Sequence, residues 1–187
     1  WNDIGDGGAA ALSGAIKSNN TLETLKLYTN RIGLAGAQSL ADMLQVNRAL
    51  ISANLGYNSI GDEGTTSLSE ALKSNSTLEE LKLVRNEIGA AGAQSLAKMF
   101  QFNRSLKSAD FSFNRIGDEG TAALSAALKA NSTLEKLKLR SNQVGAAGAQ
   151  SLAGMLRVNR ALTSLNLFNN QIGAGGAKAI ADSLPQS

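Results

Sequence analysis

The sequence predicts an α/β solenoid, a stack of strand–loop–helix units none of which could bury its apolar face alone. Three observations point there. From residue 21 the chain divides without gaps into 28-residue units, 21–48, 49–76, 77–104, 105–132 and 133–160, followed by 161–187 and preceded by a truncated unit, 1–20. Alternate units match better than neighbours do, so the true repeat is a pair of 56 residues. Within each unit the apolar spacing switches from two to that of a helix. One class of unit, here called A, reads TLExLKL and AGAQSLA; the other, B, carries IGDEGT and ALKxNS. The whole chain, 1–187, is expected to form one domain.

The elements follow in order along unit 21–48. Leu25 and Leu27 share a parity and Lys26 and Tyr28 take the other, so a short strand buries the leucines. Asn30, Ile32 and Gly33 make a loop. Asn2, Asn30, Asn58, Asn86, Asn114, Asn142 and Asn170 recur at the strand exit, where an amide can satisfy loop backbone groups. Gly36 and its equivalents open the helix, where a missing Cβ is expected to let it approach the strand layer. Ala37, Leu40, Ala41 and Leu44 then form one apolar helical stripe. Asn47 is expected to end the helix in a left-handed conformation. In B units, Asp62-Glu63 and Asp118-Glu119 sit at the helix start, where they favour the positive end of the helix dipole by about 0.3–1 kcal/mol each.

Packing explains the paired period. Met43, Met99 and Met155 alternate with Ala71 and Ala127, and Leu25, Leu81 and Leu137 alternate with Ala53 and Ala109. Large beside small fills the space between layers. Val46, Phe102 and Val158 alternate with Ser18, Ser74 and Ala130 in the same manner and are expected to pack between units, with a docking stripe on the convex face as the lesser reading.

Composition removes several function classes. The chain of 187 residues has no Cys and no His, so it offers no thiol nucleophile, disulfide, imidazole base or zinc site of the usual ligands. Neither a metal nor a cofactor is expected. The net charge of +3 is small and does not call for nucleic acid. No apolar stretch is long enough to span a bilayer, and no membrane partner is expected. With no signal-like N-terminus and no Cys, the expected location is the cytoplasm. Sequons at Asn19, Asn75, Asn103 and Asn131 all occupy the helix-terminating Asn, and the repeat accounts for them without a sugar.

Leu22, Leu25, Leu27, Asn30, Ile32, Gly33, Gly36, Leu40 and Leu44 fill the pattern LxxLxLxxNxIGxxGaxxLaxxL. The chain thereby resembles, along its whole length, the ribonuclease-inhibitor-type leucine-rich repeats found in NOD-like receptors and the Ran GTPase activator. The resemblance implies a curved arc, a right-handed superhelix with parallel strands lining the concave face and helices outside. No nucleophile–base pair emerges from the residues, so no enzyme is expected. The chain departs from the pattern in having Asn rather than Cys at the strand exit and no G-x-x-x-x-G-K-[ST] nucleotide loop. It shows no polar capping unit at its N-terminal end, so the expectation is an excised arc, with Pro185 stopping the last helix.

Function is expected at the variable positions. On the exposed strand parity the middle column includes Lys26, Lys82, Asp110 and Lys138; the next includes Tyr28, Val84, Arg140 and Phe168; just past the strand come Trp1, Tyr57, Arg85 and Phe113. In a chain with 4% aromatics, five aromatic residues in these outer columns mark a binding surface, against the alternative that they shield the ladder's loop edge. The Lys column reads instead as strand-to-strand neutralisation, with Glu79, Lys107 and Glu135 alternating beside it. The expected function is recognition of a protein partner, for instance as the sensor arc of an intracellular receptor. A GTPase activator using Arg31, Arg85 or Arg140 and a regularised scaffold without a partner are the other readings. The open N-terminal strand edge is expected to give weak self-association.

Overall fold

The computed structural model describes residues 2–184; Trp1 and Pro185, which carry two of the expectations above, lie outside them. Helix and strand alternate in the order α1 (Gly5–Ile16), β1 (Thr24–Lys26), α2 (Leu34–Val46), β2 (Ser52–Asn54), α3 (Gly61–Ser74), β3 (Glu80–Lys82) and α4 (Ala90–Phe102). They continue as β4 (Ser108–Asp110), α5 (Gly117–Leu128), β5 (Lys136–Lys138), α6 (Ala146–Leu156), β6 (Ser164–Asn166) and α7 (Gly173–Ala181). The strands form one parallel sheet in chain order. Pairing is offset by one unit throughout, so Leu25, Ala53, Leu81, Ala109, Leu137 and Leu165 stand in one row. Each helix touches only the helices before and after it. Parallel strands need about 4.8 Å and packed helices about 8–10 Å, so the stack bends with its strands inside.

The core lies between the two layers. Leu25 and Leu27 are buried while Lys26 and Tyr28 are exposed, as the parity requires. The helix stripe of Ala37, Leu40, Ala41 and Leu44 is buried, as are Met43, Met99 and Met155 against Ala71 and Ala127. Phe100 and Phe111 fill the centre with ring centroids 6.4 Å apart. Burying each such side chain stabilises the fold by about 1.5–3 kcal/mol.

Two asparagine ladders hold the units level. At the strand exit, Asn58 donates to the carbonyls of Leu27 and Leu55, and its Oδ1 accepts from the N–H groups of Asn30 and Ile32 at 3.0 Å each. Asn114 repeats these bonds two units on. At the N-terminal end the side chain of Asn2 is exposed, and only its backbone N–H joins the ladder, at Asn30 Oδ1. A second ladder runs along the helix exits: Asn47 Nδ2 donates to the carbonyls of Ile16 and Asn19, and Asn75, Asn103, Asn131 and Asn159 do likewise one unit later each. These helix-terminating residues are not left-handed. Asn47 has φ −66° and ψ 137°, because an extended turn aims its amide at the preceding unit.

Two further expectations are corrected. A Cβ on Gly36 would lie 2.7 Å from Ile32 Cγ2 and 3.1 Å from Ala9 Cβ, so the close neighbours are its own loop and the preceding helix, not the strand layer. Val46, Phe102 and Val158 are not packed between units: they are 46%, 61% and 55% exposed, because two residues past the last stripe position (Leu44 in α2) the helical period carries the side chain to the opposite side.

The acidic residues at the B helices reach further than their own helix dipole. Asp62 Oδ1 accepts from the N–H groups of Gly89 and Gly92, at 2.7 and 3.0 Å, and so caps α4 in the next unit. Asp6 caps α2 and Asp118 caps α6 in the same way. The A helices carry no side-chain cap of their own. This division of labour is a second physical reason for the 56-residue period.

Candidate partner-binding surface on the concave face and ascending loops

The third residue after each strand is where the surface is made. The N–H groups of Thr29, Tyr57, Arg85, Phe113 and Ser141 donate to carbonyls of the following unit, at 2.6–2.9 Å. Making that bond while the adjacent Asn joins its ladder turns the backbone left-handed: φ is 57° at Tyr57, 51° at Arg85 and 60° at Phe113. Non-glycine residues occupy this region at a cost of about 1–2 kcal/mol. The bend lifts these side chains off the sheet and into a row along the edge where the ascending loops, which lead from strand to helix, leave the concave face.

The row is held by arginine–aromatic contacts. Arg85 lies over the Tyr57 ring at 5.8 Å. Arg140 is clamped between Phe113 and Phe168, 4.8 Å from each ring. Tyr28, Tyr57, Phe113 and Phe168 remain 39–64% exposed, so whatever shielding they give the ladder leaves much apolar area facing solvent. Stacked arginine loses little freedom on binding, which suits an interface anchor.

Tyr57, Arg85 and Phe113 come together with Arg31, Glu87 and Arg115 around a groove of about 700 Å³. Arg140 and Phe168 continue the row beyond that lining. Lys26, Tyr28, Lys82, Val84, Asp110 and Lys138 lie outside it on the sheet proper. There Asp110 accepts from the Ser112 N–H and hydroxyl and pairs with Lys138 at 3.5 Å; Lys107 pairs with Glu79 across strands at 2.9 Å. Lys82 turns instead to Glu80 of its own strand, at 3.0 Å. The Ser52 hydroxyl, and behind it Lys82, hold the Glu80 carboxyl below its usual range, partly offset by burial. Glu79 pushes the Lys107 ammonium up.

Sequence reasoning missed the loop column of Asp3, Glu87 and Arg115, and treated Arg31 only as an activator candidate. Their signal is present: each is the variable residue beside a ladder Asn. Asp3, Arg31 and Glu87 are also left-handed, and Arg31 pairs with Asp3 at 2.8 Å. The three arginines considered for an activator are therefore each engaged within the chain, Arg31 by a carboxylate and Arg85 and Arg140 by rings. No group of three or more acidic, His or Cys side chains fit for a metal occurs among the described residues.

The leucine-rich-repeat family model matches residues 1–13, 18–41, 47–69, 74–97, 102–125, 130–153 and 158–181. The chain is a leucine-rich-repeat protein. It is of the ribonuclease-inhibitor-like type, a protein-interaction module. Among solved structures it is similar to the actin-binding site 2 of leiomodin-1, at 20% identity over 81% of this chain and 87% of that one, with a TM-score of 0.66. It is also similar to a tropomodulin C-terminal domain from Caenorhabditis elegans, at 13% identity over 94% and 90%, TM-score 0.63. An internalin of Listeria monocytogenes shares 23% identity over 91% of this chain and 48% of that one, TM-score 0.56. These likenesses concern the fold. None of the curated protein sequences matches the chain. Among the described residues no helix is long and apolar enough to cross a membrane.

Proposed function

We propose that this leucine-rich-repeat protein recognises a protein partner along the ascending-loop edge of its concave face, with Tyr57, Arg85, Phe113, Arg140 and Phe168 as anchors. The observation that carries the reading is the Phe113–Arg140–Phe168 stack, which continues the row beside a groove of mixed charge. Exposed aromatic side chains, Tyr57 and Phe113 among them at a strained backbone, are costly to a monomer and useful at an interface. Lys26, Tyr28, Lys82, Val84, Asp110 and Lys138 form the flanking sheet surface; Trp1, outside the described residues, belongs to the same sequence column as Tyr57 and Phe113.

Partner capture with the immobilised chain tests this. The comparison is wild type against a variant carrying Tyr57→Gly, Arg85→Gly, Phe113→Gly and Arg140→Ala, in which glycine suits the left-handed positions. Loss of the captured proteins supports the surface; equal recovery removes it. Because the leiomodin-1 arc is named as an actin-binding site, purified actin is the first defined partner to try. A role as the sensor arc of a cytoplasmic receptor is the finer form of the same proposal. Weak self-association through the outer edge of β1 is another, since β1 pairs only with β2 among the described residues; sedimentation at several concentrations tests it.

A further inference from the structure

The descending turns, which return each helix to the next strand, carry a feature that the concave surface does not use. Lys17, Arg48, Lys73, Arg104, Lys129 and Arg160 place one cation on each turn, with Arg157 beside the last. None of the 15 acidic residues lies in the segments 17–21, 45–49, 73–77, 101–105, 129–133 or 157–161. Of the nearest acids, Glu70 pairs with Lys73 at 2.6 Å and Glu79 with Lys107, while Asp42, exposed on α2 one turn before Val46, is the acid that the cations of this edge outnumber. The opposite edge of the stack carries Asp6, Asp62, Glu63, Asp118 and Glu119 at the helix starts. Charge is thus segregated between two parallel edges.

Arg48, Arg104 and Arg160 are fixed in place. Arg48 Nη1 donates to the carbonyls of Gln45 and Asn47, and Arg104 and Arg160 cap the ends of α4 and α6 likewise. Each leaves further N–H donors facing outward. Two residues before each arginine stands an exposed apolar tip, Val46, Phe102 or Val158. The Lys73 ammonium lies 5.9 Å from the Phe102 ring. The second asparagine ladder pins every descending turn to the one before by the same pair of bonds, so cations and tips stand on one level.

We propose that this edge docks on an anionic lipid bilayer, the cations meeting headgroups and the three tips entering the interface. A level row of separate tips in a cationic field matches a flat, fluid anionic surface, which imposes no register. A linear acidic partner would call for a continuous groove, whereas the hollow on this edge, about 380 Å³ between Lys129, Val158 and Arg160, spans only two turns. Single-stranded nucleic acid would call for successive stacking platforms, and Phe102 is the one aromatic among the tips. The sequence-based expectation of no membrane partner rested on the lack of a span, which contact by an edge does not require.

Vesicle sedimentation tests the proposal, using phosphatidylcholine alone and phosphatidylcholine with about one-third phosphatidylserine. The full chain is expected to sediment with the anionic vesicles only, and to be released when salt rises from about 50 to about 500 mM. Val46→Ser, Phe102→Ser and Val158→Ser together use the residue native at Ser18 and Ser74, and should weaken binding about tenfold. Lys17→Ala, Lys129→Ala and Arg157→Ala, which spare the arginine caps, should do the same. The Gly/Ala concave variant should bind vesicles as wild type does, which separates this edge from the partner surface. Thermal melting of each variant confirms the fold. No binding to anionic vesicles, or binding undiminished by the tip substitutions, overturns the proposal; so does tip-dependent binding to polyglutamate or poly(U) in place of vesicles.

Discussion

Tyr57 and Phe113 show how one residue can serve the repeat and the surface at once. Each occupies a left-handed backbone because its N–H must reach the next unit, so a β-carbon there is a standing cost. Glycine should therefore be more stable than alanine at either position by about 1 kcal/mol, in urea unfolding of Tyr57→Gly against Tyr57→Ala. The reverse order would contradict the backbone account. Ser69 is a second local cost: its buried hydroxyl has no partner, as is true of Ser13 and Ser125 one repeat away on either side. Ser69→Ala should raise stability by about 1 kcal/mol in the same assay. Glu80 is the titrating case. Its folded-state pKa is lowered, so its contribution is present above the usual value of 4.5 and is lost as pH falls through the lower folded value. The stability gap between wild type and Glu80→Gln should be open near neutrality and close on acidification below 4.5. A gap independent of pH would show that the Ser52 and Lys82 contacts do not hold the charge.

At the scale of the element, the helices differ in who caps them. Asp62→Ala should uncap α4 and cost about 1–2 kcal/mol, whereas the neighbouring Glu63→Ala, exposed and acting only through the dipole, should cost a few tenths. Hydrogen exchange should locate the Asp62 effect at Gly89 and Gly92, in the following unit; protection lost in α3 instead would contradict capping in trans. The elements themselves were legible. Leu25, Leu27, Asn30 and Leu40 repeat because burial and backbone bonding demand the same chemistry in every unit. The capping was not legible, since Asp62 acts on residues 27 and 30 positions away and its sequence context reads equally well as an ordinary acidic first turn. Val46, Phe102 and Val158 misled for a related reason. They alternate with small residues as core positions do, but the helical period places them opposite the buried stripe.

At the scale of the molecule, the stack puts its variable chemistry on three strips: the sheet's concave columns, the ascending loops, and the cationic descending edge. The exposure of the concave columns was legible from parity, because the alternate side of a strand must face away from the core. The clustering of Arg31 and Glu87 with Tyr57 and Phe113 was not, because it depends on signs of φ that non-glycine residues do not announce. The central claim is that the ascending-loop row makes the contact with a protein partner. Placing a photo-crosslinking phenylalanine analogue at Phe113, Phe168 and, as a control on the exposed helical side, Gln38 measures this most directly in the presence of captured partner. Crosslinks at Phe113 and Phe168 with none at Gln38 are predicted; crosslinks at Gln38 alone would contradict it.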